Sequence, residues 1–494
     1  MNSKWRQQVL HRRRVNQFIV TWVGSEFKNL FQSVPRKRKR PGSVHSRRAK
    51  RKEDYEDLAW MKLIHNPLTR RRSSYFGKLF RNRFRVPFAL FVKIHDLFVE
   101  RNWLQKKTFD CFGRPSIPFA IKLLAALRFL GRGECFDTLA ELTGDRCSAE
   151  VIRKFVIDFS SKMILLKDKW IKGPNPNVPD EIHQAMKMYE RLGFPGCIGS
   201  TDCVNIPLGR CPHTLKNIHT GKDGYPTLGF NCTVNHHRKF LHVSTGCPGS
   251  WNDKAKVRFD EFVNNVRDGD YQNIEFKIQT SSGDWETLKG AYLIVDGGYH
   301  RWRVLQCPLK YSSNMKECLH SKWLESVRKD VECAFGVLKR RFRCIKLPSR
   351  FHKLQVTENI FVTCCILHNM LLEDDLEQRE EELSGTFTEE EDLINWISNS
   401  TRYYDSKSVL FQYERVSRRS QHSTDMSSTG DVGYDDDEDE DEDDTDWESG
   451  WSVLHKQLVN HFYRQWVTRQ LEWTGCQQPI REDRVLQLMR DRSN

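Results

Sequence analysis

The 494-residue sequence has no apolar run as long as the ~18 residues that a membrane-spanning helix needs. Its longest apolar stretches, residues 117–130 and 360–372, are shorter, and Lys122 and Arg128 interrupt the first. None of its 15 cysteines belongs to a CxxC pair, and no apolar secretory segment follows the basic residues 11–14. These absences exclude a helical membrane protein and a disulfide-bonded secreted domain. They predict a soluble protein with reduced thiols.

The charged residues are distributed unevenly around a net charge of +14. Residues 35–52 contain ten Lys or Arg and no acid, whereas residues 435–448 contain twelve acids and no base. Outside the acidic segment the chain is therefore strongly basic, which favours a polyanionic partner such as DNA. The basic clusters at 37–40 and 47–52 predict a bipartite nuclear import signal within a basic arm at 1–70, and hence a nuclear protein.

Residues 75–190 predict a small all-α domain, because apolar residues recur there at spacings of three and four. Gly144 and Asp145 mark a short turn, and Ser148 is placed to cap the helix that follows. The pair resembles a helix-turn-helix, in which Arg153 and Lys154 on the second helix would contact DNA. An ordinary antiparallel helix pair explains the same pattern, so both interpretations stay open.

Between residues 195 and 375 the pattern changes to β-rich runs that alternate with helices, which predicts an α/β domain. Its order is strand, hairpin, helix, strand and long helix. Residues 376–450 are acidic and poor in apolar residues, which predicts a disordered linker. Residues 451–494 are predicted to be a C-terminal amphipathic helical segment, whose apolar stripe consists of Trp451, Leu454, Leu458, Phe462 and Trp466.

Three carboxylates accompany predicted buried elements of the α/β domain. Asp202 follows the first apolar run, Asp296 follows the run at 292–295, and Glu332 lies beside the buried stripe of the long helix. A converging set of carboxylates requires a cation, and all-oxygen ligation favours Mg²⁺ or Mn²⁺. Two such ions roughly 4 Å apart support phosphodiester transfer. Each acid also has a structural explanation, as a turn or helix cap or, for Glu332, as the i,i+4 partner of Arg328.

A cluster of cations follows Glu332 directly on the predicted long helix. These side chains are predicted to hold a phosphate backbone near the carboxylates. They are Lys339, Arg340, Arg341 and Arg343.

Five segments in this order, residues 199–208, 224–235, 247–257, 292–299 and 328–343, resemble the PIF/Harbinger DDE transposases and their domesticated nucleases. The resemblance covers about residues 75–375. It implies an RNase H-like mixed sheet with flanking helices, whose Asp202, Asp296 and Glu332 bind two divalent metal ions. It also implies supporting roles for Asp253 and Arg328. The family usually has His where this chain has Asn252.

The preferred functional hypothesis is a metal-dependent transposase or nuclease that cuts DNA and joins the freed 3′-hydroxyl to target DNA. Two alternatives stay open: a non-cutting DNA-binding regulator, and an endonuclease without strand transfer. The resemblance further implies a separate Myb/SANT-like DNA-binding partner protein and allows for a homo-oligomer. No membrane partner is expected.

Overall fold

The computed structural model of the protein describes residues 55–103, 116–144, 146–310, 312–384, 445–468 and 470–471. The predicted import signal and most of the acidic segment lie outside these residues. The described chain is mixed α/β, with one mixed sheet, a two-stranded hairpin and many helices. None of the helices within these ranges combines the length and apolar character that a membrane span requires.

The N-terminal part of the described chain is helical, as predicted for residues 75–190. Ser148 accepts a hydrogen bond from the backbone N–H of Val151, so the predicted helix cap is confirmed. The helices are α1 (Ala59–His65), α2 (Tyr75–Phe84), α3 (Phe88–Glu100), α4 (Phe119–Arg132), α5 (Phe136–Leu142), α6 (Ala149–Met163), α7 (Lys167–Trp170) and α8 (Pro179–Arg191).

The predicted basic arm at 1–70 extends too far along the chain. Residues 59–65 form α1, and Pro67–Arg70 form a 3₁₀ turn. Trp60 and Leu63 of α1 are buried, and the Trp60 ring packs edge-on against Phe84 at 5.6 Å. This apolar burial stabilises α1, although the surrounding sequence is basic.

The strands are β1 (Cys197–Pro207), β2 (Thr227–Val234), β3 (Phe240–Val243), β4 (Cys247–Pro248), β5 (Glu275–Gln279), β6 (Trp285–Lys289), β7 (Tyr292–Ile294) and β8 (Leu305–Gln306). The main sheet has the strand order β3-β2-β1-β7-β8, and β4 pairs with β2. β1 is antiparallel to β2 and parallel to β7, and β7 is parallel to β8. β5 and β6 form the separate hairpin.

The remaining helices interrupt or follow these strands. The predicted buried stripe of the long helix α12 is confirmed: Leu324, Val327, Val331, Phe335 and Leu338 are all buried. The helices are α9 (Lys216–His219), α10 (Asp253–Arg258), α11 (Glu261–Asp268), α12 (Met315–Arg341), α13 (Leu354–Ser384) and α14 (Thr445–Val467).

The main sheet contributes residues to two core clusters. Phe230 of β2 stacks on Phe361 of α13 with ring centroids 4.3 Å apart, in a cluster that also contains residues of α2 to α6. Leu293 of β7 belongs to the second cluster, with residues of α8, α11 and α14. The helical region and one face of the sheet therefore share a continuous apolar core.

Both ends of the predicted disordered linker at 376–450 are helical. α13 continues to Ser384, and α14 begins at Thr445. Glu, Gln, Leu and Arg dominate residues 376–384, and their high helix propensity lets α13 continue although the segment is polar. The predicted stripe of α14 is largely confirmed, since Trp451, Leu454, Leu458 and Phe462 are buried.

Candidate functional site

Asp202 lies on β1, in the middle of the main sheet. Its carboxylate accepts a hydrogen bond from the backbone N–H of Cys203 at 2.7 Å, and its side chain is 16% exposed. Burial raises the pKa of Asp202 to about 7, and the charges of Asp296 and Asp253 act in the same direction, whereas Arg328 opposes them. Burial and the nearby negative charges therefore destabilise the ionised form of this carboxylate, and a nearby cation would stabilise it.

Asp296 lies beside Asp202 because of the strand register. Ser200 of β1 is paired with Ile294 of the parallel strand β7, and each aspartate comes two residues later. The Asp296 carboxylate accepts a hydrogen bond from the Gly298 N–H at 2.9 Å, which fixes the turn after β7. The sequence motif at 292–299 thus brings its carboxylate close to Asp202. Both acids lie at the edge of the sheet where the carboxyl end of β7 meets β1.

Asp253 is the third acid at this edge. A Cβ added at Gly298 would lie 3.1 Å from Oδ1 of Asp296 and 3.7 Å from Oδ2 of Asp253, so these carboxylates approach each other there. Asn252 caps α10 by accepting a hydrogen bond from Ala255 N–H at 2.7 Å. The cap holds Asp253 at the first position of the helix. It also gives Asn252 a structural role where the family usually has His.

A buried lysine lies next to Asp253. Lys256 is 3% exposed, and its Nζ is 3.6 Å from Oδ1 of Asp253. Gly229 of β2 leaves room for it, because a Cβ at that position would lie 2.9 Å from Cε of Lys256. Burial strengthens this ion pair, since solvent screens it less.

Glu332 on α12 is connected to Asp202 through Arg328. The Arg328 guanidinium is 2.8 Å from both Glu332 and Glu325, and 3.7 Å from Asp202. The i,i+4 pair expected from the structural explanation is therefore present. It does not separate Glu332 from the site, because the same guanidinium contacts Asp202 on β1.

The donor set fits a hard divalent cation, since all four acids offer oxygen ligands. Among the described residues, however, no three Asp, Glu, His or Cys side chains are close enough together to enclose a metal ion. Arg328 explains part of this separation, because its guanidinium lies between Glu332 and Asp202. The structure thus gathers Asp202, Asp253 and Asp296 at one edge and brings Glu332 to them through a cationic side chain.

A buried polar network that the sequence analysis missed supports the Asp296 turn. The Tyr299 hydroxyl donates to Oδ1 of Asn231 at 2.8 Å, and the Asn231 amide donates to Asp260 at 2.7 Å. Tyr299 also lies 3.3 Å from Sγ of Cys203 on β1. The sequence did contain a signal for this network, because polar residues such as Asn231 lie within otherwise apolar strand patterns. The network ties the Asp296 turn to both β1 and β2.

We expect Tyr299→Phe to lower the free energy of unfolding by about 1–3 kcal/mol, because Asn231 then loses its hydroxyl donor in a buried site. The turn that carries Asp296 would then lose its connection to β2. Chemical denaturation measures the effect. Tyr225→Phe is the matched control, since Tyr225 is 50% exposed. Equal stability of the two variants would contradict a positioning role for Tyr299.

The predicted DNA-contact residues lie on α6 and α12, except that α12 ends at Arg341 and Arg343 begins the following 3₁₀ turn. Arg153 on α6 is hydrogen-bonded to Glu150 at 2.7 and 2.8 Å, and Lys154 lies 3.5 Å from the same carboxylate. These contacts reduce the net positive charge at the start of α6. On α12, the half-buried Arg341 is 3.8 Å from Asp375. Lys339 is half-buried, and Arg340 and Arg343 are exposed.

Comparisons with known proteins find related sequences. Residues 171–379 match the family described as plant transposon protein. "Protein ALP1-like" of Arabidopsis thaliana is 23% identical over 303 residues, which cover 59% of this chain and 69% of that protein. "Putative nuclease HARBI1" of Homo sapiens is 22% identical over 269 residues, which cover 53% and 70%. Together these matches support a Harbinger transposase-derived nuclease family for the chain.

The Harbinger match includes every acid of the candidate site. Asp202, Asp253, Asp296 and Glu332 lie within the matched residues, whereas α14 lies beyond them. No solved structure matches the chain. Similarity to the Harbinger family therefore comes from the sequence comparisons, and the positions of the four acids come from the geometry described above.

Proposed function

We propose that the protein is a metal-dependent DNA endonuclease of the transposase type, built on an RNase H-like core. The observation that carries the proposal is the register of β1 and β7, which places Asp202 and Asp296 side by side. Asp253 adjoins them, and Arg328 connects Glu332 to the same edge. This is a set of oxygen ligands at a sheet edge, followed on α12 by cations suited to a phosphate backbone.

Asp202, Asp296 and Glu332 would hold two Mg²⁺ or Mn²⁺ ions, with Asp253 in support. When bound, such ions supply an activated water or hydroxyl and stabilise the leaving oxygen of a phosphodiester. The other side chains of the site position the carboxylates and the DNA strand. Arg328 orients the Glu332 carboxylate toward β1, and the capped start of α10 holds Asp253. Lys339, Arg340 and Arg343 neutralise the charge of a strand that passes along α12.

We propose further that the enzyme joins the cleaved strand to target DNA. An endonuclease without strand transfer is the second candidate. The four acids gathered around one sheet edge favour either enzyme over a non-cutting regulator, because such a regulator has no need of a carboxylate set. A homo-oligomer and a Myb/SANT-like partner protein are proposed from the family resemblance. Nuclear import through residues 35–52 is part of the same proposal. Fusing residues 30–55 to a cytoplasmic reporter tests it.

The experiment that tests the function is nicking of a supercoiled plasmid by the purified full-length chain. We expect nicks in Mg²⁺ or Mn²⁺ and none after chelation with EDTA, with Ca²⁺ supporting binding better than cleavage. Adding DNA that carries the element's ends, with the partner protein, then tests strand transfer through joined products. Metal-independent nicking, or none under any of these conditions, would contradict the proposal.

Replacing both Arg153 and Lys154 with Ala should weaken binding to the element's terminal DNA, because each cation then loses its groove or phosphate contact. Metal-dependent nicking of unrelated DNA should continue. Fluorescence anisotropy measures the first effect and plasmid nicking the second. The matched control replaces Lys187 and Arg191, two exposed cations of α8, in the same way. Wild-type affinity in the α6 variant would favour the ordinary helix pair over the helix-turn-helix.

A further inference from the structure

A cleft of about 280 Å³ lies where the ends of α2 and α12 meet α13. Four of its six lining side chains are arginines from two distant parts of the sequence. We call it the arginine cleft, and it is lined by Arg81, Arg85, Val337, Arg340, Arg341 and Leu371.

Two of the four arginines share one acidic partner. Arg81 and Arg341 lie 3.0 and 3.8 Å from the carboxylate of Asp375. Among the described residues, neither Arg85 nor Arg340 has an acidic partner. The Nε of Arg85 is buried without a hydrogen-bond partner there. Burial, together with the like charges of Arg132 and Arg340, lowers the pKa of Arg85. The arginine cleft therefore contains two arginines without a carboxylate partner among the described residues, and an anion would compensate their charge.

The helix packing holds Arg85 in the arginine cleft. Arg85 ends α2 in the left-handed region with φ of 64°, and its backbone N–H donates to Arg81. Its side chain passes over Gly131 of α4, where an added Cβ would lie 2.5 Å from Cγ of Arg85. Glycine at position 131 thus lets the side chain follow this path. The position of Arg85 is fixed by packing, which distinguishes it from a solvated surface arginine.

An open strip of α12 connects the arginine cleft to the candidate active site. Glu332, Gly336 and Arg340 are exposed and follow one another at intervals of four residues, so they lie along one side of the helix. A Cβ added at Gly336 would meet nothing within 4 Å. Glu332 and Arg340 are eight residues apart, which is about 12 Å along the helix axis. A DNA strand on this strip would have room to reach from the carboxylates to the arginine cleft.

We propose that the arginine cleft binds one backbone phosphate of the DNA strand whose scissile bond lies at Asp202, Asp296 and Glu332. The proposal rests on the proposed function for the identity of the DNA. Arg85 and Arg340 both contact this phosphate, one from the helical region and one from α12. The cleft thereby sets the position of the strand along α12 relative to the carboxylates.

The test measures binding of the full-length chain to a fluorescent duplex in EDTA over a series of salt concentrations. Arg85→Gln and Arg340→Gln should each weaken binding about tenfold at low salt, and should reduce the salt slope by about one. The double variant should lose little more than either single variant, because both side chains hold the same phosphate. Arg101→Gln, at an exposed arginine beyond the end of α3, is the control and should leave the slope unchanged.

Gly131→Ala provides a variant that removes no charge. It should weaken binding as Arg85→Gln does, because the added methyl group displaces the Arg85 side chain. Thermal unfolding of each variant verifies that it is folded. Wild-type slopes in Arg85→Gln, Arg340→Gln and Gly131→Ala would overturn the proposal. So would tighter binding of inorganic phosphate than of the duplex at the same ionic strength, because the cleft would then be a site for free phosphate.

The two proposals fail separately. If the arginine variants bind DNA normally while the carboxylate variants stop cleaving, the phosphate-binding role of the arginine cleft is wrong and the proposed nuclease function is supported. If the arginine variants lose the phosphate contact while the carboxylate variants still cleave, the phosphate-binding role of the arginine cleft is supported and the catalytic role of the carboxylates is wrong.

Discussion

Asp296→Asn should reduce plasmid nicking to the level seen in EDTA, and Asp202→Asn and Glu332→Gln should do the same. An amide keeps the shape of the carboxylate but removes the charge and a strong metal ligand. Because the three acids act on one reaction, each loss should reach about a thousandfold or more, and double variants should lose little beyond a single one. Nicking rates with saturating Mn²⁺ and Mg²⁺ measure the effect.

The control is Asp284→Asn, which changes an exposed aspartate on the turn between β5 and β6. It should nick as the unchanged protein does. Duplex binding should survive in all three carboxylate variants, or increase slightly, because negative charge is removed beside a polyanion. If Asp296→Asn cleaved at the full rate, the aspartate would be only the cap of the turn it forms with Gly298, and the mechanism would be wrong.

The sequence predicted the elements of the site better than it predicted their contacts. A β-rich apolar run before Asp296 and a periodic stripe beside Glu332 are local patterns, and both elements form as predicted. The pairing of β1 with parallel β7 depends on tertiary packing, so residues 292–295 alone did not reveal that Asp202 and Asp296 share a register. The family resemblance provided that association.

Contacts through long side chains were the least predictable part of the site. Arg328 and Glu332 at i,i+4 follow from helix geometry. The additional 3.7 Å approach of Arg328 to Asp202 depends on how α12 packs over β1. Arg85 and Arg340 are 255 residues apart in sequence, and no local pattern connects them. The hydrogen bond from the Tyr299 hydroxyl to Asn231 likewise depends on the assembled sheet.

Phe462→Ala should lower the free energy of unfolding by about 3–5 kcal/mol, because it leaves a cavity where α14 docks. Phe462 is fully buried, with ring centroids 5.3 Å from Phe194 and 5.7 Å from His320. The amphipathic stripe of α14 predicted a helix, but it could not reveal this partner surface, which consists of residues before and after the main sheet. Chemical denaturation followed by tryptophan fluorescence measures the change.

Val453→Ala is the matched control, since Val453 lies on α14 and is 59% exposed. Its unfolding free energy should change by less than about 0.5 kcal/mol. Trp451 gives a second readout, because its indole N–H donates to the Leu305 carbonyl at 2.9 Å, beside the strand that leads to Asp296. If α14 supports that edge of the sheet, Phe462→Ala should also slow nicking below the unfolding temperature. Unchanged stability and nicking would mean that α14 only covers the sheet, and that the catalytic edge holds its shape without it.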